Sequence, residues 1–141
     1  MQGLLLPELK ELLPKEYDAR VKRDGITNAW DDDNYKAAVL KAAGSRKNVI
    51  MAGLTNDVCV VSPSVAMVEE GFDVQVVIDA GGSPTQIADD IAQQTWEKSG
   101  VRTTTINQII TEFAKSWGTG DGGKLIHILA EEIIPTFGKF K

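Results

Sequence analysis

Cys59 is the only cysteine of the chain, and its setting gives it chemical interest. It follows an apolar run, Asn48-Val49-Ile50-Met51-Ala52-Gly53, and a short polar turn, Leu54-Thr55-Asn56-Asp57. It opens a segment, Val58 to Gly71, whose pattern predicts a helix closed by glycine. A thiol at a strand-to-helix turn points out of the carboxyl edge of a sheet, into the positive end of a helix dipole. That field favours thiolate over thiol, and a thiolate attacks carbonyl carbon. The alternative for a lone cysteine is a small buried hydrophobe, and position alone leaves both readings open. Asp79, at the end of the next apolar run, and Arg102, on the last one, are candidate neighbours of the thiol.

The elements that must position these groups alternate. Pro7 to Leu13 reads as a short amphipathic helix with proline in its first turn. Asp18 to Lys22 reads as a short strand, and Asp31 to Ala43 as a helix with an acidic start and Gly44 as its stop. Residues 48–53 form a buried strand, Val74 to Ile78 another, and Val101 to Ile106 a third. Helices are predicted over Gln86 to Lys98, from Ile106 to about Ser116, and over Lys124 to Ile134. Strands alternating with helices predict βαβ units, hence a mainly parallel sheet covered on both faces in a three-layer α/β/α fold. Ligands of such sheets sit beyond the carboxyl ends of the strands, the edge to which Cys59 belongs.

The length of 141 residues suits one domain with a proper core, residues 1–141. One cysteine excludes an internal disulfide framework and fits a reducing compartment, so the expected location is cytoplasmic. The formal charge of −5 argues against nucleic acid or an anionic membrane as partner. No apolar run approaches the ~18 residues of a membrane span, and Pro7 interrupts the leucines that precede it, unlike a signal peptide.

Three segments in register carry a resemblance. Gly53-Leu54-Thr55-Asn56-Asp57-Val58-Cys59-Val60 resembles the nucleophile signature of the isochorismatase-like cysteine hydrolases. Arg23-Asp24-Gly25-Ile26-Thr27-Asn28-Ala29-Trp30-Asp31 resembles a segment of the YcaC-like branch, as do Glu69 to Val74 and Val77-Ile78-Asp79-Ala80. The resemblance runs from about Leu6 to Phe137 and implies an α/β/α hydrolase with a triad of aspartate, a basic residue and cysteine. Cys59 matches the nucleophile. Arg23 matches the basic position, with Lys22 the adjacent alternative. A non-proline cis peptide is implied at Leu54–Thr55, turning backbone N–H groups near Thr55 and Cys59 into an oxyanion hole. Asn28 and Trp30 are implied as pocket residues, though Trp30 equally suits packing.

The chemistry so implied is metal-independent hydrolysis of C–N bonds in small amides, through a covalent acyl-enzyme, with no cofactor and in a homo-oligomer. The triad aspartate belongs to the family's first strand, and no stretch of this sequence matches it. Asp24, Asp57 and Asp79 are the local carboxylates, and none is assigned its role. The resemblance also implies that the segment near Val21 pairs directly with the strand near Ile50 or borrows a strand from another chain. A binding or assembly module that keeps the pocket without the triad is the alternative function.

Other features have simpler explanations. The sole histidine, His127, lies among apolar neighbours in the last helix, where a core or interface role outweighs metal ligation. Gly118 to Gly123 lacks the Lys-Ser/Thr ending of a phosphate-binding loop and reads as a mobile connection. Asp31-Asp32-Asp33 reads as a solvated helix start rather than a cation site.

Overall fold

The computed structural model describes residues 5–23 and 25–133. Its centre is a parallel sheet of three strands in the order β1 (Asn48–Met51), β2 (Asp73–Val77), β3 (Arg102–Thr104). Asn48 lies opposite Asp73, Met51 opposite Val76, and Val77 opposite Thr104. The crossovers are helical: α4 (Val61–Glu69) joins β1 to β2, and α5 (Gln86–Ser99) joins β2 to β3. The predicted α/β architecture is the one observed.

Side chains alternate across the sheet. Val74 and Val76 of β2 are fully buried, and Val49 and Met51 beside them pack on the same core. Met67 of α4 and Ala92 and Trp96 of α5 cover that face. The fully buried indole of Trp96 donates to Ser64 Oγ at 2.8 Å, and that hydroxyl donates to the Val61 carbonyl at 2.8 Å. On the opposite face, Gln75 reaches Glu112 of α6 (Ile106–Ala114) at 3.5 Å. Helices therefore lie on both sides of the sheet.

Before the sheet come α1 (Pro7–Leu12) and α2 (Pro14–Asp18), each opened by proline and neither containing a buried residue. The predicted strand at Asp18 to Lys22 is not formed: α2 runs through Asp18, and Arg20 to Arg23 joins no ladder. A strand needs a neighbour to satisfy its backbone, and among the described residues this segment pairs with neither β1 nor any other strand. A 3-10 turn at Ala29–Asp31 leads into α3 (Asp33–Ala43), capped by Asp32, whose carboxylate accepts the Tyr35 N–H at 2.9 Å. The acidic run is thus a helix start.

The Gly118 to Gly123 connection is largely helical. α7 spans Gly120–Ile128, its first turn capped by Thr119 Oγ1, which accepts the Gly122 N–H at 3.0 Å. Glycine is required at 122 because a Cβ there would lie 1.9 Å from the Ser116 carbonyl oxygen. A π-helical turn, Leu129–Ile133, follows, and the tail beyond it lies outside the described residues, as does Asp24. Among the described residues no helix is long and apolar enough to cross a membrane.

Candidate active site

β1 ends at Met51, and the chain turns beyond the carboxyl edge of the sheet, where the Leu54–Thr55 peptide is cis, at the position the resemblance implies. Next comes a π-helical turn, Asn56–Val60, in place of the first turn of the predicted helix, and α4 begins only at Val61. Such turns recur at functional sites because the extra residue redirects a side chain. Cys59 sits within this turn, half-buried. The Val60 N–H donates back to the Thr55 carbonyl at 3.1 Å and closes the turn on the cis peptide.

The loop after β2 grips this turn from the side. Leu54 bridges to Gly82, the Asn56 N–H donates to the Gly82 carbonyl at 3.1 Å, and the Asp57 N–H donates to Ser83 Oγ at 3.1 Å. Gly81 is the point of closest approach: a Cβ there would lie 2.5 Å from both Asn56 Oδ1 and the Gly53 carbonyl oxygen. Asn56 is buried, and its Nδ2 donates to Asp89 Oδ1 of α5 at 3.0 Å. Hydrogen bonding from Ser83 first, and from Asn56 second, holds the Asp89 carboxyl below the ordinary aspartate range. Sequence reasoning missed Asn56, Gly81, Ser83 and Asp89 as a group. The Gly81-Gly82-Ser83 loop was visible as a loop, but its partners on the Cys59 turn lie more than twenty residues away.

The other candidate residues fall elsewhere. Arg23 is exposed, donates to the Ile26 carbonyl at 3.1 Å, and places its guanidinium 5.9 Å from the Tyr35 ring centroid. No hydrogen bond or ion pair among the described residues joins Arg23 to Cys59. Burial pushes the Tyr35 hydroxyl up, against the opposing pull of Arg23. Lys22 is exposed. Asn28 Oδ1 accepts the Trp30 N–H at 3.1 Å and caps the 3-10 turn. Trp30 is a core residue, packed edge-on against Phe72 with ring centroids 5.6 Å apart.

Asp79 lies on the same sheet edge as Cys59, but its Oδ1 accepts the Ile106 N–H at 2.8 Å and caps α6. Arg102 is not a neighbour of the thiol. It forms a two-pronged pair with Asp73, both bonds 2.9 Å, at the amino ends of the strands. His127 is exposed rather than in the core. Among the described residues no group of three or more His, Cys, Asp or Glu side chains is disposed to hold a metal ion. A cavity of about 820 Å³ opens between residues 19–23 and α3, lined by Val21, Arg23, Tyr35 and Val39 among others. Cys59 does not line it.

Comparison with known proteins agrees with this geometry. The isochorismatase domain matches residues 5–108. The chain is 37% identical over 115 residues to the probable hydrolase YcaC of Escherichia coli (strain K12), covering 82% of this chain and 53% of that protein. The chain thus spans about half the length of that curated relative. The crystal structure of the E. coli YcaC gene product, described as an octameric hydrolase of unknown specificity, superposes with a TM-score of 0.82 at 33% identity. It covers 99% of this chain and 69% of that one. YcaC from Pseudomonas aeruginosa, solved with hexane-2,5-diol and covalent acrylamide, gives a TM-score of 0.77 at 35% identity, with 96% of this chain and 68% of that one covered. The parallel sheet and these matches together make this chain a member of the isochorismatase family, on its YcaC-like branch.

Proposed function

We propose that this chain belongs to a metal-independent cysteine hydrolase that cleaves C–N bonds of small amides. The observation that carries the reading is the placement of Cys59 on a π-helical turn beyond the carboxyl edge of the sheet, closed onto the cis Leu54–Thr55 peptide. The thiolate of Cys59 attacks the amide carbonyl carbon, and backbone N–H groups at Thr55 and Cys59 stabilise the oxyanion of the tetrahedral intermediate. Collapse expels the amine, which takes up the proton first lost by the thiol. Water then hydrolyses the thioester and frees the enzyme.

The proton acceptor is an aspartate on a further strand beside β1, supplied by polypeptide other than the residues described. Arg23 moves onto that carboxylate from its present place over Tyr35 and keeps it ionised. The active form is a homo-oligomer, in line with the octameric E. coli relative, and its substrate is a small molecule.

The test pairs amine release from a panel of small amides with labelling of Cys59 by acrylamide, the reagent found covalently bound in the Pseudomonas relative. Cys59→Ser is expected to lower amide hydrolysis on the order of 10³-fold or more, as loss of a covalent nucleophile does, with an unchanged circular dichroism spectrum. Hydrolysis that survives the substitution would overturn the assignment. No hydrolysis, together with labelling no faster than that of the urea-unfolded chain, would leave a binding or assembly module.

A further inference from the structure

The turn that carries Cys59 is held by a side-chain network reaching across to α5. Asn56, 3% exposed, is the first residue of the π-helical turn, three positions before Cys59. Its two amide atoms face different surroundings. Nδ2 donates to Asp89 Oδ1 at 3.0 Å, whereas Oδ1 is buried without a hydrogen-bond donor among the described residues and lies 2.5 Å from where a Cβ on Gly81 would stand.

The orientation of that amide is decided by charge. A flipped amide would set Oδ1 against the Asp89 carboxylate, acceptor to acceptor, so an ionised Asp89 admits only the observed arrangement. The Asn56 and Asp57 N–H groups are fixed at the same time, by the Gly82 carbonyl and Ser83 Oγ, both at 3.1 Å. Two consecutive residues are therefore anchored immediately after the cis peptide, and Cys59 follows within the same helical turn.

We infer that Asp89, acting through the amide of Asn56, is a positioning residue that holds the Cys59 turn in its reactive conformation. No hydrogen bond among the described residues joins Asp89 to Cys59; Asp89 holds Asn56 at the start of the turn and is hydrogen-bonded by Ser83, whose Oγ accepts the Asp57 N–H. The consequence for reactivity rests on Cys59 being the nucleophile, whereas the clamp itself does not.

Two readouts separate these parts: amide hydrogen exchange of residues 54–60 and the rate of Cys59 labelling by acrylamide, both on the full chain. Asp89→Asn is expected to speed exchange in 54–60 about tenfold, the scale of a lost hydrogen bond to a charged group, with β2 and α4 unchanged. Labelling slows by a similar factor.

Asp90→Asn removes an equal charge from the adjacent position of α5, where Asp90 accepts from Gln86 Nε2 at 2.9 Å. It is expected to leave both readouts at the native value. The exchanged pair, Asp89→Asn with Asn56→Asp, restores a donor opposite a carboxylate and recovers much of the labelling rate. Native exchange in Asp89→Asn, an Asp90→Asn effect of equal size, or native labelling despite faster exchange would each overturn the inference. If wild-type Cys59 labels no faster than the unfolded chain, the nucleophile reading fails, and exchange alone decides the clamp.

Discussion

Asp89 ties the chemistry of the turn to pH. Its carboxyl is held below the ordinary aspartate value of 3.8 by the hydrogen bonds it receives in the folded chain. A carboxyl depressed in this way stabilises the fold fully above the unfolded value, and the contribution disappears as the pH falls through the lower folded value. The stability difference between wild type and Asp89→Asn is therefore expected to be greatest above pH 3.8 and to shrink below it. Urea midpoints at a series of acid pH values measure this, and a difference that stays constant with pH would contradict it. At this scale the sequence was legible where chemistry is local. The lone thiol stood out in its own segment, and the resemblance carried by that segment implied the cis peptide just before it. Asn56 and Asp89 are 33 positions apart, and nothing in either neighbourhood announces that a buried amide meets a carboxylate. Trp30 shows the converse: its type and position suited a pocket and a core equally, and in the structure it packs edge-on against Phe72.

The elements were legible where a propensity and a tertiary partner agreed. β1, β2 and β3 fall on their β-branched runs, and α3 and α5 stop at Gly44 and Gly100. Prediction failed where only one of the two was available. Val21 sits in a strand-like run that joins no ladder among the described residues. Glycines 120, 122 and 123 are poor helix formers, yet Thr119 caps the turn and the close approach at Gly122 excludes any side chain, so α7 forms through them. The α4–α5 pair depends on one buried polar contact, from the Trp96 indole to Ser64. Ser64→Ala leaves that N–H without an acceptor in the core and is expected to cost about 1–3 kcal/mol. Trp96→Phe in the same background removes the stranded donor, so its further cost should be smaller than in wild type. A double-mutant cycle by chemical denaturation checks this, and strictly additive effects would count against the bond.

For the whole molecule, the outer edge of β1 governs behaviour. Among the described residues no strand pairs with it, and Ile50 and Val58, on the strand and the turn beyond it, are 46% and 41% exposed. An unpaired strand edge flanked by apolar side chains is a template for association. Sedimentation velocity is expected to show association that grows with concentration and is weakened by Ile50→Lys; a monomer at every concentration would refute this. The sequence conveyed the α/β class, but not how the segment ahead of the sheet would settle, because that depends on what lies beside β1. The segment settles with little commitment. α1 and α2 bury no residue, whereas Trp30, just after them, is locked into the core. Mechanically, the first two helices form an arm riveted at Trp30. Limited proteolysis is expected to cut at exposed Lys22 or Arg23 before any bond of the sheet opens. The severed product would keep its core, from Asn28 onward, and lose one wall of the cavity against α3.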